Sequence, residues 1–239
     1  MTDKKDRIAI MQPYLFPYIG YWQLIQAVDL YVVADNVHYI KHHWINRNRI
    51  LGEGNQPHPF GIEISHANGE RPISETKRVV SRKQAEYLCR VLKFYYSKAP
   101  YYKEAMEVIK PILMDEEADL TRYLVKQLKE VSRYLGIGTE IILLSDVTER
   151  GDCTAPEIIR RVCELLGHST FTSSINGNKY YDKESFRKMG INLEFLVRDE
   201  DICYKQRCDK FVPDLSIIDA MMYCSREELH GMIDRYHFV

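Results

Sequence analysis

The chain has 239 residues, 45% of them apolar and 28% charged, with a net charge of −1. That length and balance predict a packed chain of a single α/β domain spanning 1–239, and the near-zero charge argues against a nucleic-acid partner. No apolar run approaches the roughly 20 residues that a membrane span needs.

Met1 to Arg7 is polar and charged with no signal-type apolar segment after it, so a cytoplasmic location is expected. The six cysteines form no C-x-x-C pair and are expected to be thiols. The first ordered segment is predicted at Ile8 to Met11, an apolar run closed by Gln12-Pro13. A Pro-punctuated aromatic loop, Tyr14-Leu15-Phe16-Pro17-Tyr18, leads through Ile19-Gly20-Tyr21 into a helical apolar pattern at Trp22, Leu24, Ile25 and Val28. Leu30 to Ala34 is a second buried-strand run, ended by Asp35-Asn36. Strand, helix and strand in so short a stretch make a βαβ unit, and ligands of open α/β sheets sit beyond the carboxyl ends of the strands. That rule puts Gln12 to Tyr21 and Asp35 to Arg49 on one rim.

Trp44 to Leu51 and Phe60 to Ile64, joined by Gly52-Glu53-Gly54-Asn55, predict a β-hairpin. Three helices are expected between 81 and 136, the last with Leu120, Leu124, Leu128 and Val131 on one face and Gly136 at its end. They read as a helical insertion into a parallel sheet of about five strands. Glu140 to Leu144 is a strand and Ala155 to Leu166 a helix capped by Thr154, with Pro156 in its first turn. Ser169 to Thr172 is a strand, Ser173 to Lys179 a polar loop, Lys183 to Met189 a helix stopped by Gly190, and Ile191 to Val197 a strand.

The opening stretch, with Trp44-Ile45-Asn46-Arg47-Asn48, Asn176-Gly177-Asn178-Lys179-Tyr180-Tyr181-Asp182 and Phe211-Val212-Pro213-Asp214-Leu215-Ser216-Ile217-Ile218-Asp219, resembles the WbqC-like protein family across nearly the whole chain. The resemblance implies a place in bacterial surface-polysaccharide (O-antigen) biosynthesis. Tyr18-Ile19-Gly20-Tyr21 is also remotely similar to the H-x-G-H signature of HIGH-type nucleotidyltransferases, in the same order of strand, loop and helix. That likeness implies a Rossmann-like, HIGH-type nucleotide-binding arrangement. Both histidines are replaced by tyrosines, whose hydroxyls donate a hydrogen bond but stay neutral at pH 7. Gly20 at a helix N-terminus still favours an anion, so phosphate binding is expected more directly than nucleotidyl transfer.

On this basis Tyr18, Tyr21, Asp35 and Lys179 are the candidate catalytic residues, and Gln12, Gly20, Lys41, Asn46, Arg47, Asn48 and Gly177 the candidate binding residues. Lys41, Arg47 and Arg49 suit phosphate or carboxylate groups. Asp35 is either a base, a ligand of a metal–phosphate pair or the cap of a turn. His38 and His42 have the i, i+4 spacing of a helical zinc pair, but their neighbours suggest extended chain and no third ligand is evident, so no metal site is expected. The implied function is a transferase taking a nucleotide, nucleotide-sugar or other phosphate-activated substrate, with ATP or another nucleotide and magnesium as the cofactor class. Acyl or aminoacyl transfer to an amino sugar is the alternative, and a non-catalytic nucleotide- or sugar-binding partner is a third reading.

Overall fold

The computed structural model describes residues 6–41, 43–65 and 71–239. Strand Arg7–Met11 (β1) runs into helix Ile19–Gln26 (α1) and strand Leu30–Val33 (β2). The hairpin Arg47–Leu51 (β3) and Pro57–Gly61 (β4) follows, then the short ladder of Ile64–Ser65 (β5) with Lys77–Arg78 (β6). Helices Arg82–Tyr96 (α2), Tyr102–Leu113 (α3) and Leu120–Leu135 (α4) precede strand Glu140–Leu143 (β7). After the one-turn helix Leu144–Val147 (α5) come helix Ala155–Leu166 (α6), strand Thr170–Ser174 (β8), helix Lys183–Lys188 (α7) and strand Asn192–Arg198 (β9). Helices Ile217–Tyr223 (α8) and Arg226–Ile233 (α9) and strand Tyr236–Phe238 (β10) close the chain.

Six strands form one sheet in the order β10-β9-β8-β1-β2-β7, parallel throughout except that β10 runs against β9. The arrangement is Rossmann-like: from the central β1 the chain moves outward through β2 to β7, then returns to the other side of β1 with β8 and β9. The direction therefore reverses between β1 and β8, and in open α/β sheets this switch point is where ligands bind. The expected parallel sheet of about five strands is present, with β10 as an added antiparallel edge.

Both faces of the sheet are covered, as the near-continuous apolar runs of β1 and β2 require. Ala9, Tyr31 and Val33 alternate onto one face and pack with α1, α4 and α9. Ile8, Leu30 and Val32 point the other way, into a cluster with α6, α7 and β9. Local chemistry sets the helix ends. Ser81 accepts a bond from Gln84 N, Asp119 from Arg122 N, and Thr154 with Glu157 makes a capping box. Gly136, at φ +76°, ends α4 in the left-handed conformation that glycine adopts at little cost.

Among the described residues no helix is long and apolar enough to cross a membrane.

Candidate functional site

The loop after β1 is held in a conformation that its sequence alone disfavours. Phe16 has φ +42°, a left-handed backbone that costs a bulky residue on the order of 1–3 kcal/mol. Buried polar groups fix it there from three other parts of the chain. Phe16 N donates to Gln127 Oε1 of α4 (2.8 Å), and Phe16 O accepts from Asn48 Nδ2 (2.8 Å) and from Ser216 Oγ (2.7 Å). On either side, Leu15 O accepts from Asn48 Nδ2 (2.9 Å), while Pro17 O accepts from Trp22 Nε1 and Ile217 N, both at 3.0 Å. The segment Leu15-Phe16-Pro17 is thus stapled to β3, α4 and the start of α8.

Beyond it lies a cleft of about 620 Å³ at the switch point, with walls from the loop after β1, from β3 and from the ends of β8 and β9. Tyr14, Tyr18 and Trp44 give it aromatic surface, and Arg49, Arg198 and Asn176 supply polar groups. The Arg49 guanidinium lies 5.1 Å from the Trp44 ring centre, a cation–π contact. Its Nε is buried and has no hydrogen-bond partner among the described residues; one of its terminal nitrogens reaches Asp214 O at 3.4 Å. Arg198 pairs with Asp214 at 2.7 Å and lies 5.9 Å from the Tyr18 ring centre. Burial pushes the Tyr14 hydroxyl up to about 12, and burial likewise raises Tyr18, against the opposing pull of Arg198. Both phenols are therefore protonated donors at neutral pH. His43 stands edge-on to Tyr14 at 5.4 Å; burial and then Arg47 lower its pKa, so its ring is neutral at pH 7.

The structure brings together some of the residues singled out from the sequence and separates others. Tyr18, Gly20 and Asn48 line the cleft. Gly20 is needed for close approach, because a Cβ there would stand 2.6 Å from Tyr18 Cε2. The Tyr18 ring thus covers the first turn of α1, where a bare helix terminus was expected to meet phosphate. Asn48 is 6% exposed and works chiefly as the clamp on Leu15 and Phe16. Gly177 sits below the Asn176 edge of the cleft and lets the 3-10 turn Ile175–Lys179 fold onto β8, since a Cβ would meet Ser173 Oγ at 2.2 Å.

Tyr21 is 2% exposed, its hydroxyl donates to Gln12 O at 2.8 Å, and burial raises its pKa. Its ring packs beside Tyr14, Trp22 and Tyr31, while Tyr18, the N-cap residue of α1, lines the cleft. Gln12 is engaged in the hydrogen bond to Tyr21. Asp35 is 1% exposed and bound by Ser145, whose N donates to Oδ1 at 3.0 Å and Oγ to Oδ2 at 2.6 Å. Ser145 belongs to α5 and borders, with Asn36 and Ser74, a recess separate from the cleft. Asn46 joins Tyr39 Oη to Ile62 O, both at 2.8 Å, and so braces the hairpin. Lys41, Arg47 and Lys179 are exposed and do not contribute to the cleft wall. His42 lies outside the described residues.

Of the two arginines on the cleft wall, Arg49 was among the cations expected to meet an anion, and Arg198 was not singled out from the sequence. Arg198 is the last residue of β9.

The chain is 27% identical over 223 residues to an uncharacterized protein of Mycobacterium tuberculosis, Rv1507c, an alignment covering 92% of this chain and 95% of that one. No solved structure matches it. The profile of the WbqC-like protein family matches residues 12–231, which include the clamped loop, the hairpin, the cleft and α8. The chain belongs to the WbqC-like protein family.

Proposed function

We propose that the protein is a transferase that binds a phosphate-activated substrate, a nucleotide or nucleotide-sugar, in the switch-point cleft and modifies a precursor of surface polysaccharide. The observation that carries this reading is Arg49. A guanidinium on the cleft wall, held over the Trp44 ring, is placed for an anion, and its planar fork suits phosphate bidentately. Arg198 stands across the same cleft as a second cation, and Tyr14 and Tyr18 offer neutral hydroxyl donors and flat faces for a sugar or base. The polysaccharide context comes from the family resemblance.

Catalysis in such a site is positioning plus charge stabilisation, with Arg49 and Arg198 meeting charge that builds on the transferred group. The engaged hydroxyl of Tyr21 favours a second reading, in which the protein binds the nucleotide or sugar without turning it over.

Release of phosphate or pyrophosphate from a panel of nucleotides and nucleotide-sugars, with magnesium and candidate sugar acceptors, tests the proposal. The wild type should turn over, and Arg49→Gln should lose about 100-fold in rate, the scale of removing a donor to developing charge. Turnover unchanged in Arg49→Gln would overturn the assignment, and saturable binding without turnover would select the second reading.

A further inference from the structure

The cleft does not end at Arg198. On the other side of the Arg198–Asp214 ion pair lies a second recess of about 550 Å³, and Arg198, Glu200 and Asp214 belong to the walls of both. The two differ in chemistry. The first holds Arg49 and the hydroxyls of Tyr14 and Tyr18. The second has an aliphatic floor made by Ile19, Ile202, Leu215 and Ile217, with Phe211 and Tyr204 meeting edge to face at 5.1 Å beside it.

The Tyr204 hydroxyl is turned away from this recess, whose walls also carry Glu200, Asp201, Lys210 and Ser216. Tyr204 Oη donates to Asp219 Oδ2 at 2.7 Å, and Gln206 Nε2 reaches the same oxygen at 2.8 Å. Asp219, fully buried, also accepts from Tyr96 Oη at 2.7 Å. The carboxylate draws the hydroxyl of Tyr204 inward and leaves its ring for the wall.

The partition between the recesses is weak by construction. Arg198 and Asp214 are 32% and 48% exposed, and an ion pair that open to water is readily exchanged for another anion. An anion bound at Arg49 therefore competes with Asp214 for Arg198, and its arrival joins the two recesses.

We infer that the two recesses form one bipartite site for an amphiphilic anion. Its phosphate or carboxylate sits at Arg49 and Arg198, and an alkyl or acyl group of the same molecule lies on the floor of Ile19, Ile202, Leu215 and Ile217. The inference rests on the anion site proposed above and deepens it by naming the substrate class.

Calorimetric titration of methyl phosphate and hexyl phosphate separates the two claims. On the wild type, hexyl phosphate should bind about 100-fold more tightly than methyl phosphate, since burial of each further methylene adds to affinity. Cys203→Trp places an indole in the second recess from an exposed position on its wall, and should abolish the hexyl advantage while leaving methyl phosphate unaffected. Lys210→Trp, also exposed on that wall, gives the same readout if Cys203→Trp does not fold. Arg49→Gln should weaken both ligands together.

Equal affinities for the two phosphates on the wild type would overturn the bipartite site and leave the anion site standing. A hexyl advantage that survives both tryptophan variants would place the hydrocarbon elsewhere and also overturn it. Binding of neither ligand would remove the anion site, and this inference with it.

Discussion

Replacing Asn48 by Asp exchanges one amide NH2 for an oxygen at almost no change of volume, so it isolates the clamp on the Phe16 loop. In the native chain the Asn48 amide nitrogen serves Leu15 O and Phe16 O, and its oxygen accepts from Arg49 N at 2.8 Å. The aspartate keeps the last bond and loses the first two. Phe16 O retains Ser216 Oγ, whereas Leu15 O loses the only side-chain donor described for it and faces a carboxylate oxygen. Two lost bonds at about 1 kcal/mol each, with a buried unpaired charge added, give a destabilisation of about 3–5 kcal/mol at neutral pH. That is a large part of a typical domain's stability of roughly 5–15 kcal/mol.

The loss should depend on pH with a definite sign. A carboxyl facing two carbonyls has its folded pKa raised above the unfolded value of about 3.9, because only the protonated form can donate to them. Stability is then retained below the unfolded pKa and lost as pH rises through the folded one. Urea unfolding of wild type and Asn48→Asp at pH 5 and pH 8 should show a gap that is widest at pH 8. A gap below about 1 kcal/mol at pH 8, or one that does not change with pH, would refute the description of Asn48 as the loop's clamp.

Other residues give independent checks. Ser145→Ala removes the 2.6 Å bond to buried Asp35 and should cost about 1.5–3 kcal/mol in urea unfolding while leaving phosphate affinity unchanged, because Asp35 lies off the cleft. Tyr21→Phe should cost about 1 kcal/mol of stability with no effect on ligand affinity, and Tyr18→Phe should do the reverse; a titration in which Tyr21→Phe weakens binding as much as Tyr18→Phe would contradict the geometry. Asp115 is partly desolvated, which raises its pKa, but Lys126 and the Glu117 N–H outweigh this and hold it below the ordinary carboxylate value. Its stabilisation is therefore present above the unfolded pKa and lost as pH falls through the folded one, so Asp115→Asn should flatten the acid limb of the stability curve below about pH 4.

Much of the fold was legible because its signals are local. The apolar runs at Ile8 and Leu30 form adjacent strands, and Ser81, Asp119, Thr154 and Gly136 mark helix ends by bonds made within a few residues. The C-terminal elements were not read: α8 and α9 are 7 and 8 residues long, and β10 has 3, too short for a period to emerge. Strand order is also invisible in the chain, since the pairing of β1 with β8 joins residues more than 160 positions apart.

The region of the cleft was legible, and of the cations expected there Arg49 lines its wall while Lys41, Arg47 and Lys179 do not. Arg47 and Arg49 share strand parity, so alternation could not choose between them. The choice falls to Arg49 because Ser216 N bonds its carbonyl at 2.8 Å and brings Asp214 over that end of β3. Asn48 looked like a ligand-binding residue in a polar hairpin because its partners, Leu15 and Phe16, are 33 and 32 residues away. Tyr18 and Tyr21 read alike in the sequence, and only tertiary packing buries Tyr21 and leaves Tyr18 on the cleft wall.

The central claim is that Arg49 anchors an anion at the switch point between β1 and β8. Calorimetric titration of pyrophosphate into the wild type, Arg49→Gln and Lys179→Gln tests it most directly. The wild type should bind one equivalent, Arg49→Gln should weaken binding by about 10- to 100-fold, the worth of a charged hydrogen-bonding group, and Lys179→Gln should match the wild type. Affinity that is intact in Arg49→Gln, or lost in Lys179→Gln instead, would contradict the claim.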